Sequence, residues 1–78
     1  MEAHYYRRLY DLREDHDMTQ QQLADILKCD RSQYARYERG ERDIPTPLLR
    51  RLAWLYNTST DYILELTDDP RPYTKKTE

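Results

Sequence analysis

One cysteine, one glycine and no long apolar run set the first limits on this chain of 78 residues. The lone Cys29 excludes an internal disulfide framework and fits a reducing cytosol. The lone Gly40 leaves no material for a glycine-rich phosphate loop. No stretch approaches the roughly 18 apolar residues of a membrane-spanning helix. The N-terminal run MEAHYYRRLYDLRED lacks the apolar core of a signal peptide. The expectation is therefore a soluble, cytoplasmic protein with no membrane partner. Soft metal ligands and nucleophiles are scarce as well: His4, His16 and Cys29 are the only candidates, and their spacing fits no metal motif. On one helix His4 and His16 would stand about 18 Å apart, too far to share an ion. Nothing pairs a nucleophile with a base. No enzyme, no metal and no cofactor are expected.

What is present is charge, unevenly placed. The sum is −2, which by itself argues against nucleic acid. Residues 1–27 carry a net −3 and residues 52–78 a net −2, whereas residues 28–51 carry a net +3. That middle third holds Lys28, Arg31, Arg36, Arg39, Arg42, Arg50 and Arg51. Arginine suits bidentate contact with phosphate and guanine. The excess is small, so binding would need a second copy to add its share. Length allows one compact domain, and the apolar residues fall at helical spacing.

Five helical segments are predicted. The first spans Ala3 to Asp15, with Tyr5, Leu9 and Leu12 as its stripe. Asp17, tolerant of a left-handed turn, helps to stop it. Thr19 with Gln22 forms a capping box for the second, which buries Leu23, Ala24 and Leu27 and ends near Lys28 and Cys29. Asp30, with Gln33 in the box position, opens the third, which stops at Gly40. Thr46 as cap and Pro47 in the first turn open the fourth, striped by Leu49, Leu52, Ala53 and Tyr56 and closed at Asn57. Ser59 caps a fifth that runs through Tyr62 and Ile63 to Leu66. Residues 1–67 then form one all-α, five-helix domain. Residues 68–78, with two prolines and no periodicity, read as a flexible tail.

The second and third helices are joined by a two- or three-residue turn, the spacing of a helix-turn-helix. With TQQQLA (19–24), YERGER (37–42), the proline-opened fourth helix and STDYILELTD (59–68) in register, residues 12–68 resemble the Cro and lambda-repressor type of helix-turn-helix, also called the xenobiotic-response-element family. The resemblance implies a compact lambda-repressor-like domain that binds double-stranded DNA as a transcriptional regulator, most economically a repressor. It also implies a homodimer.

On a helical wheel Tyr34, Tyr37 and Glu38 share one side of the third helix, and Ser32, Arg36 and Arg39 the other. By the resemblance, Arg31, Ser32 and Arg36 stand at base-reading positions, flanked by Gln33. The two arginines suit guanine; Gln33 suits adenine or a phosphate. Thr19, Gln20, Arg39 and Arg42 are expected against the DNA backbone. Arg13 and Glu38 are expected to form an ion pair tying the first helix to the third. The fourth and fifth helices commonly carry the dimer contact, which nominates Trp54, Leu55, Tyr62 and Ile63. Trp54 lies off the buried stripe, and tryptophan is a favoured interface anchor. One departure stands out: Lys28 occupies a turn position where the family usually has glycine, so a differently shaped turn is expected there. The rival function is an antitoxin-like or adaptor module that uses the same fold to hold a protein partner.

Overall fold

The computed structural model describes residues 6–72. Among them are five helices and no strand: α1 Arg7–Asp15, α2 Gln20–Leu27, α3 Arg31–Glu38, α4 Thr46–Leu55 and α5 Thr60–Ile63. Within these residues α1 begins at Arg7, after Tyr6 in the cap position and without a side-chain cap. The expected start at Ala3, the candidate His4 and the stripe position Tyr5 lie outside the described residues.

Three helix starts follow from short polar side chains. Thr19 Oγ1 accepts from the Gln22 backbone N–H at 3.0 Å while Gln22 Oε1 accepts from the Thr19 N–H at 2.8 Å, a complete capping box. Asp30 Oδ1 accepts from the Gln33 N–H at 2.8 Å, and Ser59 Oγ from the Tyr62 N–H at 3.0 Å. At α4 the expectation shifts by one residue. Pro45 holds the cap position and Thr46 is the first helical residue, so its hydroxyl caps nothing. Pro47 sits in the first turn, where its missing N–H costs no hydrogen bond.

The stops are left-handed residues: Asp17 (φ 55°), Gly40 (φ 75°) and Asn57 (φ 54°) follow α1, α3 and α4. Lys28 is a fourth, at φ 62° and ψ 44°. The turn is thus not reshaped to suit lysine. The chain adopts the left-handed geometry that glycine favours and bears a cost of about 1–2 kcal/mol for the Cβ. Closure of the turn by the Cys29 N–H on the Ala24 carbonyl, at 2.9 Å, helps hold Lys28 there. The fifth helix is shorter than expected. Glu65 turns left-handed at φ 64°, and Leu66, the expected end of the helix, is 71% exposed. With no core surface to cover, Leu64 and Leu66 give the helix no reason to continue.

The core is one cluster. Leu9 from α1, Leu23 and Leu27 from α2, Tyr34 from α3, Leu52 from α4 and Ile63 from α5 meet inside. Each large side chain fully buried this way contributes on the order of 1.5–3 kcal/mol. α2 and α3 pack on each other, α1 crosses both α3 and α5, and α4 leans on α5. α3 is held from behind by all of this, which leaves its other side free.

The first residues of the stretch expected as a flexible tail make contacts with the domain. Arg8 on α1 donates to the Tyr62 and Thr67 carbonyls at 2.9 and 2.8 Å and to Asp68 Oδ1 at 2.7 Å. Thr58 Oγ1 donates to the Pro70 carbonyl at 2.6 Å. Residues 68–70 are therefore fastened to the domain. Residues 73–78, the remainder of the expected tail, lie outside the described residues.

Candidate nucleic-acid interface

α3 has two unlike sides. Tyr34, Ala35, Tyr37 and Glu38 are buried, whereas Arg31, Ser32, Gln33, Arg36 and Arg39 are exposed. The helix presents its N-terminal residues beside the α1–α2 turn. There Arg31 and Gln20 border a surface depression of about 690 Å³ together with Met18, Thr19 and Gln21. A second hollow, about 200 Å³, lies along the same helix and is lined by Asp30, Ser32, Gln33, Arg36 and Arg42. All four residues expected to read bases are thus exposed on one element, with Gln20 and Arg42 at its flanks.

The orientation of α3 rests on a buried ion pair. Arg13 Nε donates to Glu38 Oε2 at 2.6 Å and Nη2 donates to Oε1 at 3.3 Å. The two residues are 8% and 7% exposed, so the pair is removed from water. Nη1 of Arg13 also donates to the Met18 carbonyl at 2.9 Å, holding the turn before α2. The hydrogen bond to Glu38 and burial act in opposite directions on the guanidinium, and the hydrogen bond wins: Arg13 is held above its ordinary pKa. Tyr34 and Tyr56 lie close by. Burial, reinforced by the Glu38 charge, pushes both phenols far above their usual range. The structure thus brings Arg13 and Glu38 together as an ion pair.

Several exposed polar groups already have partners. Gln20 Nε2 donates to Glu38 Oε1 at 3.3 Å, which joins this expected phosphate contact to the ion pair. The Thr19 hydroxyl oxygen is taken up as the α2 cap. Gln33 does not reach back to complete a capping box; its Nε2 donates instead to the Tyr37 hydroxyl at 2.9 Å. Ser32 Oγ donates to Asp30 Oδ1 at 3.2 Å. That bond and the stronger one from the Gln33 N–H pull the Asp30 carboxyl below the usual aspartate range, with Arg36 adding a smaller share. Arg39 makes a two-pronged pair with Glu41, at 2.7 and 3.2 Å. The pair is solvent-exposed and therefore worth little.

The partner-facing set needs correction. Ile63 is 0% exposed and belongs to the core, so it is not available to a second molecule. Tyr62 is half-buried with its ring face covered by the Arg8 guanidinium, 4.1 Å from the centroid. Leu55 is partly buried against the core. Trp54 alone among the four stands clear, at 83% exposure. Sequence reasoning missed Arg8 and the hydroxyl of Tyr37. No motif marks Arg8, and its partners lie 54 to 60 residues away.

Among the described residues no helix is long and apolar enough to cross a membrane. Comparison with known proteins places this geometry. The family model described as "Helix-turn-helix" matches residues 9–63. The chain is 46% identical over 68 residues to a Bacillus subtilis (strain 168) protein named "Uncharacterized HTH-type transcriptional regulator YobD", covering 87% of this chain and 61% of that one. It is 40% identical over 58 residues to the "HTH-type transcriptional regulator ImmR" of the same organism, covering 74% of this chain and 46% of that one. The chain thus spans about half to three-fifths of the length of these relatives. No solved structure matches it significantly. With a matching family model over most of its length and α2 and α3 packed as a helix-turn-helix, the chain belongs to the Cro and lambda-repressor type of helix-turn-helix family, whose members are DNA-binding transcriptional regulators.

Proposed function

We propose that this protein is a sequence-specific DNA-binding repressor that inserts α3 into the major groove. The observation that carries the reading is the two-sidedness of α3: tyrosines and the ion-paired Glu38 inward, Arg31, Ser32, Gln33 and Arg36 outward. The arginines supply donors for guanine O6 and N7, each good pair giving roughly 1–3 kcal/mol of discrimination. Gln20, Arg42 and, once released from Glu41, Arg39 approach phosphates on either side. The protein acts in the cytoplasm as a two-fold dimer on half-sites about 34 Å apart, with Trp54 as the principal contact between copies. A bound dimer blocks polymerase without any catalytic step.

Selection from a randomised double-stranded DNA pool, with wild type and Arg36→Ala in parallel, tests this. A palindrome with half-sites roughly ten base pairs apart should emerge, and the variant should lose or relax one position in each half-site. The absence of any enriched sequence at low salt sinks the reading and turns attention to a protein partner at Trp54. A complex that forms equally on all sequences would reduce it to non-specific binding.

A further inference from the structure

Among the described residues, two buried side-chain polar atoms make no hydrogen bond: the hydroxyls of Tyr34 and Tyr56. Their residues are 0% and 6% exposed, so bulk solvent does not serve them. Burying a hydroxyl without a partner costs stability, and folded proteins pair nearly all such groups.

The two phenols converge on the buried ion pair. Tyr34 precedes Glu38 by one helical turn on the inner side of α3. Tyr56 follows α4, and its ring packs on that of His16 with 5.0 Å between centroids. His16 closes α1 one turn after Arg13, the partner of Glu38. The Glu38 charge acts on both phenols, and Tyr56 acts on Tyr34 as well.

Counting donors and acceptors shows what is needed there. Glu38 already accepts from Arg13 Nε, Arg13 Nη2 and Gln20 Nε2. A carboxylate offers about four acceptor sites, so roughly one is left for two phenol hydrogens. Neither hydroxyl is in bonding geometry with that carboxylate or with the other hydroxyl. We propose that Tyr34, Tyr56 and Glu38 enclose a binding site for one water molecule. It accepts both phenol hydrogens on its two lone pairs and donates one of its own hydrogens to the remaining site on Glu38. Those are the roughly three bonds usual for a buried water. The site ties the end of α4 to α3, two helices that pack chiefly on other neighbours. Through Glu38 it also stands behind Gln20, a residue expected at the DNA backbone.

Two measurements test the site. A crystal structure of the wild-type protein that resolves ordered solvent should show one water within hydrogen-bond distance of both phenol oxygens and a Glu38 carboxylate oxygen. Direct bonds among these groups, with no water between them, overturn the proposal. Thermal melts of Tyr34→Phe, Tyr56→Phe and the double variant provide the second measurement, since each change removes a hydroxyl and keeps the ring. Each single variant should lower the midpoint by about 4 °C or more. The double variant should lose clearly less than the sum, because the first deletion already weakens the hold on the shared water. Truly orphaned hydroxyls would give the opposite sign: a single variant that melts at or above wild type overturns the proposal. Strictly additive losses overturn it too, since they place the hydroxyls on separate partners. Should a variant fail to fold, the wild-type crystal structure still decides.

Discussion

Glu38 accepts three hydrogen bonds with two oxygens, from Arg13 Nε, Arg13 Nη2 and Gln20 Nε2. Glu38→Gln keeps its shape and removes its charge, which leaves the buried Arg13 guanidinium with only the exposed Glu14 carboxylate as counter-ion. Breaking one side of such a pair costs about 3–5 kcal/mol. The lower figure applies here, because Arg13 retains the Met18 carbonyl and a contact with Glu14 at 3.4 Å. A thermal melt should show the midpoint falling by more than about 10 °C. A fall within about 2 °C would mean that the pair only orients α3. At this scale some of the molecule was legible. The pair itself followed from the family resemblance, and Asp17 and Gly40 stood out as residues that tolerate left-handed backbone. Lys28 did not. Its turn geometry is imposed by the packing of α2 against α3, and lysine tolerates rather than causes it. The tethers from Gln20 and Gln33 were hidden too, because rotamer choice depends on neighbours that only the folded chain brings close.

α3 shows how much of an element its first residue controls. The Asp30 carboxylate receives the Gln33 N–H and stands at the positive end of the helix dipole. Its folded pKa is lowered, so its stabilisation is complete above the ordinary aspartate pKa of about 4 and is lost as pH falls through the folded value. Chemical denaturation at pH 7 and pH 2.5 should therefore show a smaller acid loss for Asp30→Asn, which caps without titrating, than for wild type. Equal acid losses would remove Asp30 from the account. Helix starts were readable because Thr19, Asp30 and Ser59 each carry the oxygen that an orphan N–H requires. The end of α5 was not readable. Leu64 and Leu66 continue an apolar pattern that looks helical in one dimension, but no core surface lies beneath them.

In the molecule as a whole, Arg8 joins the beginning of the fold to its end. Its guanidinium is mostly buried while Asp68 is almost fully exposed, so the two backbone carbonyls contribute more than the ion pair. Together they are worth about 1–2 kcal/mol. Arg8→Ala should raise amide hydrogen exchange in residues 65–71 by about tenfold, with α2 and α3 little changed. Unchanged exchange would show that the Thr58 bond to Pro70 is enough on its own. Two prolines and no periodicity suggested a loose end here, and only the distant partner on α1 shows that Asp68 meets the domain.

Trp54 is the only tryptophan in the chain and stands almost wholly in solvent. Its emission should lie near that of the free indole and should be readily quenched by iodide. Unfolding changes such a fluorophore little, so the protein melts almost silently in this channel and must be followed by circular dichroism. Association is the event that Trp54 is placed to report. A concentration-dependent blue shift and loss of iodide quenching would mark one copy meeting another. A spectrum indifferent to concentration would place any subunit contact elsewhere. An exposed indole thus serves as a built-in optical probe that needs no added label.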